Sequence, residues 1–199
     1  MPATEPENTL APATWQLRPA ELSDAPRIAQ LHADSWRRHY RGAYSDAYLD
    51  GDVVTDRREV WTSRLSAPVR TMTLVAEDGA ELVGFVHVVF DADERWGSLV
   101  DNLHVTHRRQ RTGLGSVLLT RAAAAVVEQA ASASLYLWVQ EQNTAAQGFY
   151  DARGGRCVEK ARIALPGGVP GRLNGAPNKL RYAWPDAADL AARPEAPAR

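Results

Sequence analysis

The stretch that most constrains the fold is a strand that leads through a basic turn into a long apolar helix. Residues 99–105 are predicted as the strand, and Gly113 and Gly115 open a helix that extends to about residue 131. A helix start exposes unpartnered N–H groups and the positive end of the dipole. Glycine lets a ligand approach the backbone closely. The turn therefore predicts a phosphate site, although two glycines alone also fit an ordinary helix-packing turn.

Two common phosphate-binding turns do not match this stretch. A dinucleotide-binding turn needs a third glycine, and Leu118 occupies that position. A P-loop needs Gly-Lys followed by Ser or Thr, and the chain has no such sequence. The turn is therefore predicted to hold a pyrophosphate in another way.

The order of the predicted elements indicates one α/β (α+β) domain. Predicted strands cover residues 15–18, 71–76, 82–90, 99–105, 135–139, 157–165 and 179–184, and predicted helices begin at Ser23 or Asp24 and cover 53–65, 113–131 and 144–152. This order predicts a mixed sheet with helices on its faces. Residues 1–13 and 186–199 carry few apolar side chains, so both are predicted to be disordered tails of a domain at 14–185.

Composition argues against several classes of function. The 23 basic residues are balanced by 24 acidic ones, whereas proteins that bind nucleic acid usually have a basic excess. No apolar run approaches the ~20 residues that span a bilayer, so no membrane partner is predicted. Cys157 is the only cysteine, which favours a reduced, cytoplasmic location. The histidines show no ligand spacing, so no metal site is predicted.

A second motif makes the turn more specific. The two motifs read Gln110-x-x-Gly113-x-Gly115 and, downstream, Asn143-x-x-Ala146-x-x-Phe149-Tyr150 followed by Gly154. In this order the chain resembles the GNAT N-acetyltransferase superfamily. The resemblance implies the GNAT fold, a mixed, mostly antiparallel sheet of six or seven strands with a V-shaped split between two parallel strands and helices on both faces. It also implies acetyl-CoA as acyl donor and a homodimer.

The same resemblance implies where acetyl-CoA binds. The strand backbone at the split would bond the pantetheine arm and the thioester oxygen, and the turn would hold the pyrophosphate. An N–H aimed at that oxygen also stabilises the tetrahedral intermediate. The implied cofactor-binding residues are Leu103, His104, Val105, Gln110, Arg111, Thr112, Gly113, Leu114, Gly115, Ser116, Asn143 and Phe149.

The resemblance further implies direct attack of a neutral amine on the thioester. Tyr150 would be the general acid that protonates the leaving sulfur, and an interior tyrosine packed beside Phe149 is the alternative interpretation. The amine must also lose a proton, usually to a carboxylate or a histidine.

Asp101 is the first candidate for that base, because it is two residues before Leu103 and is expected on the same face of the strand. A salt-bridged strand carboxylate is an equally good interpretation. His104 and His39 are alternative bases, whereas His87 lies in an apolar run and is predicted to be a core residue.

Aromatic residues mark the predicted acceptor side, formed by Trp36, Tyr40 and Tyr44, with Trp138 near the split. Core packing is the competing interpretation for each of them. Four aspartates between residues 46 and 56 favour a cationic amine or are simply a solvated face.

Three functions remain open. The chain is predicted to acetylate a primary amine of a small molecule or peptide, to acetylate a protein lysine or N-terminus, or to bind acyl-CoA without catalysis. The aromatic segment favours the first because it suggests a closed pocket.

Overall fold

A seven-stranded sheet with helices on both faces forms the centre of the molecule. The computed structural model describes residues 15–193, so the predicted tail at 1–13 lies outside the described residues. The strands are β1 (Trp15–Pro19), β2 (Thr71–Asp78), β3 (Glu81–Asp93), β4 (Gly97–Val105), β5 (Leu135–Gln140), β6 (Arg156–Arg162) and β7 (Asn178–Trp184). The helices are α1 (Ala25–His39), α2 (Asp46–Asp50), α3 (Val53–Ser66), α4 (Leu114–Gln129), α5 (Thr144–Ala152) and α6 (Ala187–Ala191).

The sheet is mostly antiparallel, as the sequence predicts. Its strand order is β1-β2-β3-β4-β5-β7-β6, and the pair β4–β5 is parallel while the other neighbours are antiparallel. This parallel pair is short, because only Ser98, Leu99 and Val100 are in register with residues of β5. Beyond Val100 the two strands separate, which gives the predicted V-shaped split.

Alternation along β3 builds a core on each face of the sheet. Val86 packs into the cluster that contains Leu114 and Leu118 of α4, whereas its neighbour Phe85 packs with Trp61 of α3 and with residues of α1. Successive side chains of a strand point to opposite faces, so one apolar run serves both cores. α4 therefore covers one face, and α1 with α3 covers the other.

Two short helices were not predicted from the sequence. α2 begins after Ser45, whose side chain accepts a hydrogen bond from the Tyr48 N–H. α6 lies in the segment predicted to be disordered, and that prediction is wrong for residues 186–193. Ala187 and Leu190 are fully buried in the core cluster that contains α4, and Asp186 caps the helix through the Ala188 N–H at 2.8 Å. This burial offsets the entropy of ordering the segment.

Candidate active site

A row of free amide groups lines the turn between β4 and α4. None of the six consecutive N–H groups from Arg111 to Ser116 donates to a backbone acceptor in residues 15–193. Arg111 and Gly113 have positive φ angles of 64° and 87°, which turn successive N–H groups toward a common side. Such a concave row at the positive end of a helix dipole is suited to a phosphate group.

Arg111 carries the turn's available positive charge. Arg108 is ion-paired with Glu81 and Arg109 with Asp78, so both are already neutralised. Arg111 makes no ion pair within the described part of the chain. Of the three arginines in this turn, Arg111 alone therefore keeps a charge that no carboxylate among residues 15–193 balances.

The side chains of Gln110 and Thr112 frame the same turn. Gln110 is exposed and ends the short 3₁₀ turn that precedes it. The Thr112 hydroxyl donates to the Arg109 carbonyl at 2.7 Å, which holds the turn in shape. Thr112 thus supports the loop through its side chain and offers its N–H outward.

Beside the turn, β4 presents an open edge to the split. The Thr106 N–H donates to the Val83 carbonyl of β3 at 2.9 Å. Antiparallel pairing alternates along a strand, so His104 also bonds toward β3, while Leu103 and Val105 direct N–H and C=O toward β5. Because β5 has diverged there, these groups face the gap. Two of the three predicted strand residues therefore face the split, and His104 does not.

The second motif forms α5 and its start. The Asn143 side-chain oxygen accepts from the Ala146 N–H at 3.2 Å, so it caps the helix. A Cβ placed on Gly115 would lie 3.8 Å from Phe149 Cζ and 3.9 Å from Val105 Cγ2. Phe149 and Val105 thus both lie beside Gly115 at the start of α4, where the glycine leaves room for a side chain no larger than a methyl group.

Tyr150 of α5 lies at the inner end of this arrangement. Its side chain is buried, with ring centroids 5.7 Å from Tyr182 and 6.2 Å from Trp184. Burial raises the pKa of Tyr150, so its hydroxyl keeps its proton at neutral pH. Burial also raises the pKa of Tyr40, with smaller contributions from Tyr44, Tyr150 and Asp101.

Asp101 lies on a different face from the predicted one. A bulge in the β3–β4 pairing falls at Asp101, so strict alternation fails there. Its carboxylate pairs with Arg64 of α3 at 2.6 Å and accepts from Asn102 Nδ2 at 2.6 Å, whereas Leu103 packs against the cluster on the α4 side. The carboxylate is therefore salt-bridged, and it lies on the face of the sheet that α1 and α3 cover.

The histidines on this side are buried or half-buried, and burial favours their neutral form. Burial lowers the pKa of His104 to about 3, and its Nδ1 is 2.8 Å from Ser35 Oγ. Burial also lowers the pKa of His87 to about 4, and this ring is a core residue as predicted. His39 also has a pKa lowered by burial. His32 was not singled out from the sequence, yet it accepts a 3.0 Å hydrogen bond from Trp61 Nε1 in the core. A neutral ring of such low pKa is a poor base.

Three of the four predicted acceptor aromatics form one cluster at the end of α1. Trp36 stacks on Tyr40 with ring centroids 5.4 Å apart and meets the edge of Tyr44 at 5.0 Å. Trp36 and Tyr44 are buried and Tyr40 is partly buried. Trp138 lies elsewhere, on β5, beneath Lys179 Nζ at 4.3 Å and Arg181 Cζ at 4.5 Å.

The cluster of Trp36, Tyr40 and Tyr44 is called the aromatic wall below. A group of charged residues connects this aromatic wall to the loop between β6 and β7. The Asp56 carboxylate accepts from the Tyr48 hydroxyl at 2.7 Å and from Arg172 at 2.7 Å, and Arg57 also pairs with it. Arg172 belongs to the β6–β7 loop, whose Leu173 bridges to Tyr44. This loop is thereby fixed against α2 and α3. No local sequence pattern indicates this contact, because it joins residues 116 positions apart.

The remaining aspartates lie outside this wall. Asp46 and Asp50 both pair with Arg41 at the surface, so they add no free negative charge to the aromatic wall.

In residues 15–193, no group of three or more His, Cys, Asp or Glu is arranged to hold a metal ion. None of the helices in that range is long and apolar enough to cross a membrane.

Known proteins are similar to this chain in sequence and in fold. The model of the acetyltransferase (GNAT) family matches residues 25–154. A probable N-acetyltransferase of Mycobacterium tuberculosis, Rv2775, is 29% identical over 146 residues, covering 72% of this chain and 81% of that protein. An uncharacterized N-acetyltransferase of Bacillus subtilis, YuaI, is 26% identical over 176 residues, covering 87% of this chain and 95% of that protein.

A solved structure gives the same fold. The PaiA N-acetyltransferase of Thermoplasma acidophilum, in complex with coenzyme A, superposes with a TM-score of 0.66 at 17% identity, covering 86% of this chain and all of that one. The family match spans most of the chain and includes the β4 edge, the turn into α4 and α5. The chain therefore belongs to the acetyltransferase (GNAT) family.

Proposed function

We propose that the chain transfers an acetyl group from acetyl-CoA to a primary amine of a small molecule or peptide. One observation carries this proposal: the open edge of β4 continues into a row of unpartnered N–H groups at the start of α4. A pantetheine arm with its amides fits the edge, and a pyrophosphate fits the row. The family membership and the coenzyme A bound to PaiA support this choice of donor.

The reaction needs a nucleophile, an acid and a base. The neutral amine attacks the thioester carbon, a C–N bond forms, and the tetrahedral intermediate collapses with cleavage of the C–S bond. Tyr150, kept protonated by burial, gives its proton to the leaving thiolate. The proton lost from the amine passes through solvent to Asp101, whose pairing with Arg64 must loosen for it to accept that proton. An N–H at the β4 edge stabilises the oxyanion, a contribution of ~3 kcal/mol for one such donor.

The acceptor is proposed to be small rather than a folded protein. The β6–β7 loop is tied to α3 through Arg172 and Asp56, and its Asn174 Nδ2 donates to the Tyr44 carbonyl at 3.1 Å. A loop held in this way narrows the approach to the aromatic wall. A protein lysine would need an open groove there.

The test compares two tyrosines from the same cluster. Tyr150→Phe removes the proposed acid and should lower turnover by about 10²–10⁴-fold, the usual contribution of a general acid. Its Kd for coenzyme A should stay near that of the parent. Tyr182→Phe removes a hydroxyl from a ring 5.7 Å away and should keep full turnover.

Thiol release from acetyl-CoA with an amine library measures both variants. Equal turnover in Tyr150→Phe and the parent would exclude the acid role. Tight acetyl-CoA binding without thiol release for any acceptor would favour a non-catalytic acyl-CoA-binding module. Release only with polypeptides would favour protein acetylation.

A further inference from the structure

Lys179 of β7 is a cation without a carboxylate partner on the acceptor side of the sheet. Its ammonium lies 4.3 Å above the Trp138 ring and forms no ion pair with any group in residues 15–193. The charges around it are engaged elsewhere: Arg181 pairs with Glu159, and Arg64 pairs with Asp101. Burial and then the Arg181 charge lower the pKa of Lys179, while Glu159 and Asp101 oppose this shift. The site therefore favours an added anion.

Gln140 of β5 is an equally unusual neighbour. Its side chain is 5% exposed, and among residues 15–193 neither atom of its amide meets a partner at good hydrogen-bond geometry. The amide is nevertheless within hydrogen-bonding reach of the Tyr44 hydroxyl. Burial raises the pKa of Tyr44 to about 12, and Arg57 and this contact with Gln140 oppose that shift. Buried amides are nearly always fully hydrogen-bonded, and a loose contact with one hydroxyl leaves the Gln140 amide able to bind a further partner.

The two side chains share one face of the sheet. Gln140 and Lys179 are direct partners in the antiparallel β5–β7 register, which puts their Cβ atoms about 5 Å apart. Gln140 also lines a cavity of about 250 Å³ with Ala43, Asn178 and Glu141, and the Glu141 carboxylate is ion-paired with Lys160. This cavity opens between the α1–α2 loop and the start of β7, beside the aromatic wall.

We infer that Lys179 and Gln140 bind a carboxylate of the acceptor, so that the acceptor is an amine that also carries an acid group, as amino acids do. The Lys179 ammonium balances the negative charge of the carboxylate, and the Gln140 amide donates a second hydrogen bond to the same carboxylate. The arginines Arg57, Arg64, Arg172 and Arg181 are all held by carboxylates, so a dianionic phosphate would lack the guanidinium groups that it usually collects. This inference rests on the proposed acetyl transfer.

Matched compounds test the inference. The probes are a panel of L-α-amino acids, each compared with its primary amide and with the amine that lacks the carboxylate. Thiol release from acetyl-CoA is measured for each, and binding to the coenzyme A complex is measured separately by calorimetry. The parent should prefer amino acids, and Lys179→Met should lose about 10-fold or more in kcat/KM for them alone, as expected when a hydrogen bond to a charged group is lost.

Further variants separate charge from folding. Lys179→Arg should retain most of the preference. Gln140→Glu places an internal carboxylate beside Lys179. It should lower kcat/KM for amino acids and leave kcat/KM unchanged for amines without an acid group. Arg121→Met removes a charge from the exposed side of α4 and should change nothing.

The outcomes distinguish the two proposals. Acetylation of amines with no preference for a carboxylate would overturn the inference and leave acetyl transfer intact. Carboxylate binding that depends on Lys179 but gives no thiol release would support the site and overturn the proposed transfer. An unchanged preference in Lys179→Met would also overturn the inference.

Discussion

Two glycines two residues apart in the β4–α4 turn should respond oppositely to alanine. Gly113 has a φ of 87°, in the left-handed region, where a Cβ costs about 1–2 kcal/mol. Gly115 is helical, and a Cβ there would meet atoms no nearer than 3.8 Å, which is ordinary contact. Alanine also favours a helix over glycine by roughly 0.5–1 kcal/mol. Gly113→Ala should therefore lose stability, and Gly115→Ala should keep or gain it.

Thermal unfolding and coenzyme A titration measure the two effects. For a chain of this size 1 kcal/mol shifts Tm by about 2–4 °C, so Gly113→Ala should unfold about 2–8 °C lower. Relaxing the strained turn also moves the free N–H groups, so its Kd for coenzyme A should rise about 10-fold or more, as for a lost hydrogen bond to a charged group. Equal Tm and equal Kd for the two variants would refute the assignment of the turn geometry to binding.

Two further predictions concern pH and the β6–β7 loop. Burial lowers the pKa of His32, His87 and His104, so their contribution to stability is complete above the unfolded pKa of about 6.5 and decreases as pH falls. Urea unfolding should therefore give a smaller free energy of unfolding at pH 5.5 than at pH 7. Equal free energies of unfolding at the two pH values would contradict this. Asp56→Asn should free Arg172 and loosen the loop, raising KM for small acceptors more than it lowers kcat; an unchanged KM in steady-state kinetics would contradict a closing role for the contact.

Local signals in the sequence were sufficient for most of the fold. The strands and long helices follow from apolar periodicity, and the turn follows from a glycine that must adopt a positive φ at residue 113. The two short helices did not follow. α2 has five residues and depends on packing of Tyr48 and Leu49 against the aromatic cluster, and α6 is ordered largely by burial of Leu190. Such helices are stabilised by contacts that are remote in sequence, and no local pattern reports them.

The site was predictable where it is made of backbone and less so where it is made of side chains. Gly113 and the β4 edge were found from their motif, whereas the direction of Asp101 depends on a bulge that alternation cannot reveal. The Lys179–Gln140 pair depends on the register of two strands separated by a whole helix and strand. The same holds for Asp56 and Arg172, which meet only after the β6–β7 loop has folded back.

The brief contact between β4 and β5 also has a mechanical consequence. Three residue pairs join β1–β4 to β5–β7–β6, so backbone bonding across the middle of the sheet is weaker than within either half. The halves are held together largely by α4, whose Leu114 and Leu118 belong to one core cluster with Val86 of β3 and Leu137 of β5. A ligand whose amides bond to the open edges of both β4 and β5 would act as an inserted strand. The sheet would then be stiffer with the ligand bound than without it.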